Sequence, residues 1–311
     1  MTNCARLAMR RAQAGTVAEG LRGRLRRDLE ATLAAGTARS PLDPPGGAVW
    51  LSGWAWSCLS VGVTLWLVAG YHAGFASLNA AAAVYPDWVL QWTTSLGGET
   101  VPFALALVLA RRRPRVFWAL VLAALVAVAY SRGLKPLFDA ARPPAVLPLD
   151  SFNLIGPEHR RASFPSGHSV TAGVFGGVLV YYARQVETRA LLILLAVLVG
   201  LSRVAVGVHW PVDVACGLGG GVLAAWIGAR LAARWAALGT TLSVHLALVG
   251  LCSLAAVGMI LGGGEYVQAR PLLEVLGWAV LVDGVLGYVV GPLWRVLRVR
   301  GVDRSGSTRR S

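Results

Sequence analysis

Residues 190–231 read ALLILLAVLVGLSRVAVGVHWPVDVACGLGGGVLAAWIGARL, which is two long apolar runs separated by a short polar segment. The runs 190–208 and 211–231 have 19 and 21 residues, close to the ~20 residues that a helix needs to cross the hydrocarbon core of a bilayer. Pro211 stands at the start of the second run, where proline favours the first turn of a helix. The stretch therefore predicts two membrane-spanning helices that are joined at one side of the membrane by polar residues.

The composition of the whole chain extends this interpretation. Of 311 residues, 56% are hydrophobic and only 14% are charged, whereas a water-soluble domain is about 25% charged. This composition excludes a disordered chain, a collagen-like fibre and a typical cytosolic enzyme. Six more apolar runs lie at residues 49–70, 88–110, 116–130, 169–182, 242–261 and 272–290. The sequence therefore predicts an all-α, polytopic membrane helix bundle with eight spans.

The polar segments divide the chain into four parts. We expect an arginine- and alanine-rich cytoplasmic arm at residues 1–46, a six-span core at 47–232, two additional transmembrane helices at 233–294 and a basic cytoplasmic tail at 295–311. Arginine concentrates in the arm, in the tail and in alternate loops, which the positive-inside rule assigns to the cytoplasm. Both termini are therefore predicted to be cytoplasmic. The net charge of +14 is attributed to topology, and no nucleic acid partner is expected.

Basic residues also occur on the side opposite to these arginine-rich loops. Lys135, the single lysine of the chain, and Arg142 follow the apolar run 116–130. Arg203 comes near the end of the run 190–208. Three cations at a membrane boundary are costly unless an anion lies among them. Ser166 and Gly167 come just before the apolar run 169–182, so free backbone N–H groups at a helix start can bind the same anion. A phosphate group has the charge and the acceptor oxygens that this set requires.

Two histidines accompany these cations. His209 and Asp213 are spaced i, i+4 around a helix start, so the carboxylate can reach back to the imidazole and fix its tautomer. His168 is suited to donating a proton to a leaving oxygen. Such a set can transfer a phosphoryl group without a metal ion, because the cations stabilise the equatorial oxygens. None of the four cysteines lies in a CxxC pair, and neither a metal nor a cofactor is expected.

The three polar segments together resemble the signature of the type 2 phosphatidic acid phosphatase superfamily. They are K-x6-RP from Lys135, P-S-G-H ending at His168, and S-R-x5-H-x3-D ending at Asp213. The resemblance covers about residues 47–232 and implies an integral membrane lipid phosphatase. It implies that His209 is the nucleophile, that Asp213 orients it and that His168 protonates the leaving group. It also implies that the phosphate oxygens are held by Lys135, Arg142, Ser166, Gly167 and Arg203.

Several substrates and functions remain open. Isoprenoid pyrophosphate, phosphatidic acid and phosphatidylglycerophosphate are the leading substrates, taken from the bilayer at the extracytoplasmic face of the plasma (inner) membrane. His159, Arg160 and Arg161 lie between the first two motifs, where they either contact a second phosphate or form a solvated loop. One alternative is a phosphotransferase that passes phosphate to a lipid or sugar acceptor. Another is a non-catalytic lipid-binding or transport protein on the same fold. The oligomeric state is left open as well.

Overall fold

The computed structural model describes residues 20–262 and 264–298, and within these ranges the chain is helical with no β-strand. It begins with α1 (Leu21–Ala38), α2 (Gly47–Ala69), α3 (Phe75–Ala82), α4 (Asp87–Ser95), α5 (Thr100–Arg112) and α6 (Pro114–Phe138). It continues with α7 (Pro143–Val146), α8 (Gly167–Tyr182), α9 (Val186–Ala205), α10 (Pro211–Arg234), α11 (Ala236–Thr240), α12 (Leu242–Gly262) and α13 (Arg270–Val285). A π-helical turn, Leu286–Val290, extends α13 toward residue 298. The predicted all-α fold class is confirmed. Residues 1–19 of the predicted arm and 299–311 of the predicted tail lie outside the described residues.

Six of the described helices are long and apolar enough to cross a membrane, and a seventh span results if α4 and α5 count as one across their 59° bend. The bend falls where Gly97 and Gly98 interrupt the apolar run. The remaining predicted span, 169–182, corresponds to α8, which has 16 residues and a length of about 24 Å. Each predicted span therefore has a helix, but the second is broken and the fourth is shorter than a bilayer core.

Helix α10 lies at the centre of the bundle and packs against α2, α6 and α8. Glycines let these helices approach closely. A Cβ atom at Gly221 would lie 2.3 Å from the Val170 carbonyl oxygen of α8, and one at Gly228 would lie 2.5 Å from the Ala123 nitrogen of α6. Small residues are typical of helix contacts inside membranes, where van der Waals packing brings helices together. The glycine-rich part of α10 is therefore the core on which the polar motifs are mounted.

The arginine-rich turns meet at one end of the bundle, which we call the arginine end. Asp28 of α1 accepts two hydrogen bonds from Arg295, at 2.8 and 2.7 Å. Arg113, at the turn between α5 and α6, donates to a carbonyl oxygen just after α1 at 2.6 Å. Arg189 of α9 donates to the carbonyl oxygen of Pro45 at 2.8 Å. These contacts bring α1, the start of α2 and the end of the described chain to the same side.

The opposite end, which we call the site end, gathers the connections that carry the polar motifs. The Asn79 side chain donates to the carbonyl oxygen of Asn153 at 2.9 Å. Trp210 Nε1 donates to the carbonyl oxygen of Ala141 at 2.8 Å. Trp92 Nε1 donates to a carbonyl oxygen in the connection between α12 and α13, also at 2.8 Å. The polar motifs and the arginine-rich turns thus lie at opposite ends of the bundle.

Helices α12 and α13, with the connection between them, form what we call the accessory hairpin. Both helices pack against each other and against α5. Ala104 of α5, Ala256 of α12 and Val280 of α13 belong to one small apolar cluster there. An ion pair of 2.6 Å between Arg112 and Asp283 joins α5 to α13 near the arginine end. The accessory hairpin is therefore attached to the other helices through the broken second span.

Candidate active site

His209 lies in the short connection between α9 and α10, and only 1% of its surface is exposed. Its Nδ1 atom is 3.2 Å from Asp213 Oδ2. Asp213 is in the first turn of α10, which begins at Pro211, and the same carboxylate oxygen accepts a hydrogen bond from the Trp210 N–H at 2.9 Å. An acidic side chain that reaches back in this way satisfies a backbone donor at the helix start. The start of α10 thus holds the carboxylate against the imidazole.

Two residues from distant parts of the chain complete the surroundings of Asp213. Ser163 Oγ donates to Oδ2 at 2.5 Å, and the Tyr71 hydroxyl donates to Oδ1. Burial, followed by the negative charge of Asp213, raises the pKa of Tyr71, so its hydroxyl stays protonated. Neither residue is predicted by the motifs. Tyr71 is 142 positions away from Asp213 in the sequence. Ser163 lies close to the P-S-G-H motif, and this closeness is the only sequence feature that could point to it.

The P-S-G-H segment forms the start of α8. Ser166 is the N-cap residue, and its hydroxyl oxygen accepts hydrogen bonds from the Ser169 N–H at 3.4 Å and the Ser169 hydroxyl at 2.9 Å. The Ser166 N–H donates to the carbonyl oxygen of Asp213 at 3.2 Å, which joins α8 to α10. Gly167 and His168 occupy the first turn, where backbone N–H groups lack intrahelical acceptors and the helix dipole favours an anion.

The break between α4 and α5 packs against His168. A Cβ atom at Gly97 would lie 3.0 Å from His168 Cβ and 2.8 Å from a methyl group of Val199. A side chain at this position would therefore force its neighbours to shift. Gly97 and Gly98 interrupt the apolar run of the second span, but the sequence gives no signal that they contact a site residue.

Arg142 and Arg203 are both buried, with 9% and 2% of their surfaces exposed. Arg142 donates through Nε to the carbonyl oxygen of Arg161 at 2.8 Å. Arg203 donates through Nη1 to the hydroxyl groups of Thr94 and Tyr266, at 2.7 and 2.9 Å. All three acceptors are neutral, and no carboxylate of the described residues lies within ion-pair distance of either guanidinium. Buried charges without a counter-ion are costly, so this pair favours an anionic ligand.

These positive charges act on His209. Burial lowers the pKa of His209 well below its ordinary value of 6.5, and the charges of Arg142, Arg203 and Lys135 lower it further. The imidazole is therefore neutral at pH 7, and a proton on the Nδ1 that faces Asp213 leaves the lone pair on Nε2 for nucleophilic attack. Within residues 20–262 and 264–298, no group of three or more His, Cys, Asp or Glu side chains is arranged to hold a metal ion.

The three predicted headgroup residues take different positions. His159 Nε2 lies 3.2 Å from Oε2 of Glu265, in the connection of the accessory hairpin. Arg160 forms an exposed ion pair of 2.7 Å with a neighbouring glutamate. Arg161 is also exposed and contributes its carbonyl oxygen to Arg142. The backbone of this loop thus supports the cation cluster. A role of the three side chains in headgroup binding stays a prediction.

A groove of about 390 Å³ lies between α5, α6, α8 and α12. Its walls are mostly apolar and include Phe103, Leu120, Ala124, Val128, Val174, Phe175 and Cys252. Its polar lining consists of Glu99, Ser131, Arg132, Lys135 and Thr171, together with the backbone at Gly167. The groove thus connects an apolar space inside the bundle with two of the predicted phosphate-binding residues.

Three comparisons relate the chain to known proteins. A family model described as the PAP2 superfamily matches residues 116–237. An undecaprenyl-diphosphatase from Sulfolobus acidocaldarius is 30% identical over 133 residues, which are 41% of this chain and 59% of that protein. The chain thus spans less than two thirds of that relative's length. The crystal structure of Aquifex aeolicus LpxE is 32% identical, covers 50% of this chain and 91% of its own, and has a TM-score of 0.45.

Proposed function

We propose that this chain, which belongs to the PAP2 superfamily, is a membrane enzyme that hydrolyses a lipid phosphomonoester or pyrophosphate through a phosphohistidine intermediate. The observation that carries the proposal is the contact between His209 and Asp213 beside two buried arginines, Arg142 and Arg203. Neither arginine has a carboxylate of the described residues within ion-pair distance. The name of the Sulfolobus relative favours an isoprenoid pyrophosphate. Phosphatidic acid and phosphatidylglycerophosphate remain candidate substrates.

In the proposed reaction, His209 Nε2 attacks the phosphorus atom, and the bond from phosphorus to the leaving oxygen breaks. Asp213 accepts the hydrogen bond from Nδ1 and stabilises the positive charge that develops on the imidazole. The negative charge of the bound phosphate keeps His168 protonated. His168 gives this proton to the leaving oxygen and then takes one from the water that attacks the phosphohistidine. The products are the shortened lipid and inorganic phosphate, with both histidines restored.

The protein's own cations stabilise the charge of the transferred group. Lys135, Arg142 and Arg203 supply the positive charges, and the Ser166 hydroxyl and the Gly167 N–H add neutral donors. Fixed donors at the equatorial oxygens perform the role that metal ions have in other phosphoryl transfers. We therefore expect phosphate release to persist in excess EDTA.

The groove supports a lipid rather than a water-soluble phosphate. Lys135 and Gly167 line its polar part, and apolar side chains form its walls. Phe103 and Val128 are 40% and 47% exposed, which leaves them open to lipid on the outside of the bundle. A hydrocarbon tail gains about 0.8 kcal/mol for each CH₂ group it buries. We propose that the tail occupies this groove and that its phosphate reaches the cations from the bilayer.

The proposed location is the plasma (inner) membrane, with both termini in the cytoplasm and the site on the extracytoplasmic face. The concentration of basic turns at the arginine end supports this orientation through the positive-inside rule. Within the chain we propose residues 47–232 as the six-span phosphatase core and 233–294 as two additional transmembrane helices. The family match at 116–237 falls almost entirely within that core.

The test is phosphate release by the detergent-purified protein in excess EDTA. The panel contains an isoprenoid pyrophosphate, phosphatidic acid and phosphatidylglycerophosphate, with the products separated by chromatography. Free phosphate and a shortened lipid support the proposal, and the preferred lipid gives the substrate class. A newly phosphorylated lipid or sugar instead of free phosphate would make the protein a phosphotransferase. Binding without turnover of any lipid would make it a lipid-binding protein.

Filling the groove separates lipid turnover from turnover of small phosphates. Ala124→Phe places a ring in the groove, and we expect kcat/KM for a long-chain lipid phosphate to fall by roughly 10-fold or more, since tail burial is blocked. A short-chain, water-soluble phosphate ester should keep its kcat/KM. Leu125→Phe is the matched control, because Leu125 is 64% exposed and does not line the groove. Equal losses with both esters would show that the tail does not bind there.

The lowered pKa of His209 sets the acid limit of activity. Only the neutral imidazole attacks phosphorus, so activity is lost as the pH falls through this pKa, which lies below 6.5. We expect the acid limb of the kcat/KM profile below pH 6.5. Because the phosphate group of the substrate also titrates near pH 6, the profile is measured with two lipids whose phosphate pKa values differ. An acid limb at or above 6.5 with both lipids would contradict a lowered pKa.

A further inference from the structure

The connection of the accessory hairpin reaches into the candidate site. Tyr266 in this connection is only 3% exposed, and its hydroxyl accepts a hydrogen bond of 2.9 Å from Arg203 Nη1. The Arg203 guanidinium carbon also lies 5.9 Å from the centre of the Tyr266 ring. Tyr266 is outside the residues that the family model matches, 116–237, and outside every motif of the site. A residue of the accessory hairpin thus touches a proposed phosphate-binding arginine.

The position of Tyr266 is fixed on several sides. The Gln268 N–H donates to Gln91 Oε1 at 2.9 Å, and Trp92 Nε1 donates to the Gln268 carbonyl oxygen at 2.8 Å. The Tyr266 ring lies against Gly156, where a Cβ atom would come within 2.6 Å of Cε1. These contacts join the connection to α4 and to the loop before α8. The hydroxyl is therefore held in place before it meets Arg203.

The contact selects which edge of the guanidinium is left for a ligand. Nη1 carries two N–H groups, and Thr94 Oγ1 and the Tyr266 hydroxyl accept from it at 2.7 and 2.9 Å. Arg203 Nε is buried and has no hydrogen-bond partner. Because both N–H groups of Nη1 are occupied, the edge formed by Nε and Nη2 remains to bind a ligand. Two parallel N–H groups on that edge match a pair of phosphate oxygens, which is the strongest geometry for an arginine and an anion.

We propose that Tyr266 is a positioning residue: together with Thr94 it turns the Nε–Nη2 edge of Arg203 toward the phosphate. The accessory hairpin is then a working part of the site. This inference rests on the proposed function only in identifying the anion as phosphate. Because Tyr266 acts through Arg203, its loss weakens phosphate binding and leaves the histidine chemistry in place.

Tyr266→Phe tests the proposal, since it removes the hydroxyl and keeps the buried ring. We expect a rise of about 5- to 10-fold in the inhibition constants of inorganic phosphate and vanadate. Thr94→Val, at the other acceptor of Nη1, should give a similar rise. Tyr288→Phe is the control, because the Tyr288 hydroxyl lies 2.7 Å from His245 Nε2 at the arginine end of the same hairpin. An unchanged inhibition constant in Tyr266→Phe, with the protein folded, overturns the proposal.

A double-mutant cycle separates positioning from general support of the fold. Lysine lacks the two parallel N–H groups of the arginine edge. In an Arg203→Lys background, Tyr266→Phe should therefore change the dissociation constant of inorganic phosphate less than 2-fold. If the effects of Tyr266→Phe and Arg203→Lys on the dissociation constant multiply in full, Tyr266 acts independently of Arg203, and the inference is overturned. Direct binding of inorganic phosphate by calorimetry needs no turnover. A wild-type protein that binds phosphate but releases none from lipids therefore contradicts the proposed function without deciding the role of Tyr266.

Discussion

His209→Gln should abolish phosphate release, with kcat lower by roughly 10³-fold or more, because His209 is the proposed nucleophile and a covalent mechanism has no substitute for it. Glutamine keeps a polar side chain of similar length at a position that is only 1% exposed. The loss should therefore appear in activity rather than in folding. The measurement is the steady-state rate of phosphate release, combined with a search for radiolabelled phosphate bound to the protein, which the variant should lack.

His245→Gln is the matched control for this variant. His245 is as buried as His209, with 0% of its surface exposed, but it lies in α12 and contacts Tyr288 instead of the site. We expect it to lower the melting temperature at least as much as His209→Gln does, while keeping phosphate release within about 3-fold of wild type at a temperature where it is folded. Turnover in His209→Gln at more than a tenth of the wild-type rate would contradict the phosphohistidine mechanism.

Asp213→Asn should lower kcat by roughly 10² to 10⁴-fold, the range expected when the group that orients a catalytic imidazole is lost. An ionised carboxylate only accepts hydrogen bonds, whereas an amide has an NH₂ group that donates. Asp213 Oδ2 accepts from Ser163 and from the Trp210 N–H, and Oδ1 accepts from Tyr71. The NH₂ group of an asparagine would therefore face at least one of the three groups that donate a hydrogen bond to Asp213. Rates and thermal melting are measured on the same preparation.

Tyr71→Phe is the smaller change at the same carboxylate. It removes one donor and leaves Asp213 charged, so we expect a loss of about 10-fold or less in kcat, with little change in KM. A rate for Asp213→Asn that equals the Tyr71→Phe rate would show that the charge of Asp213 is dispensable. It would restrict the carboxylate to a structural role at the start of α10.

The local parts of the site follow from the sequence. His209 and Asp213 are four positions apart around a helix start, and the helix geometry brings them together. Ser166 and Gly167 are placed at the start of α8 by the same short-range rules. Residues that act from a distance could not be predicted, because their contacts depend on how helices pack. Tyr71 is such a residue, as its hydroxyl reaches Asp213 only when α2 lies against α10.

The fold divides in the same way. Hydropathy predicts where helices occur, because every backbone group inside a bilayer must be paired within its own segment. It does not predict that the second span bends by 59°, nor that the break brings Gly97 against His168. It also gives no indication that α12 and α13 pack on α5, which is what carries Tyr266 to Arg203. These features depend on side-chain volumes at contacts between segments far apart in the chain.

Asp28 and Arg295 are in contact, which limits how many times the chain between them can cross a membrane. A chain that leaves one surface of a membrane and returns to it crosses an even number of times. We therefore expect an even number of spans: if α4 and α5 together form one, α8 forms another. With a length of about 24 Å against a hydrocarbon core of about 30 Å, α8 crosses only where the bilayer is locally thinner or its ends are drawn inward. Ser166 and Gly167 at its start would then lie below the average headgroup plane, so a lipid phosphate would move toward the membrane interior to reach them.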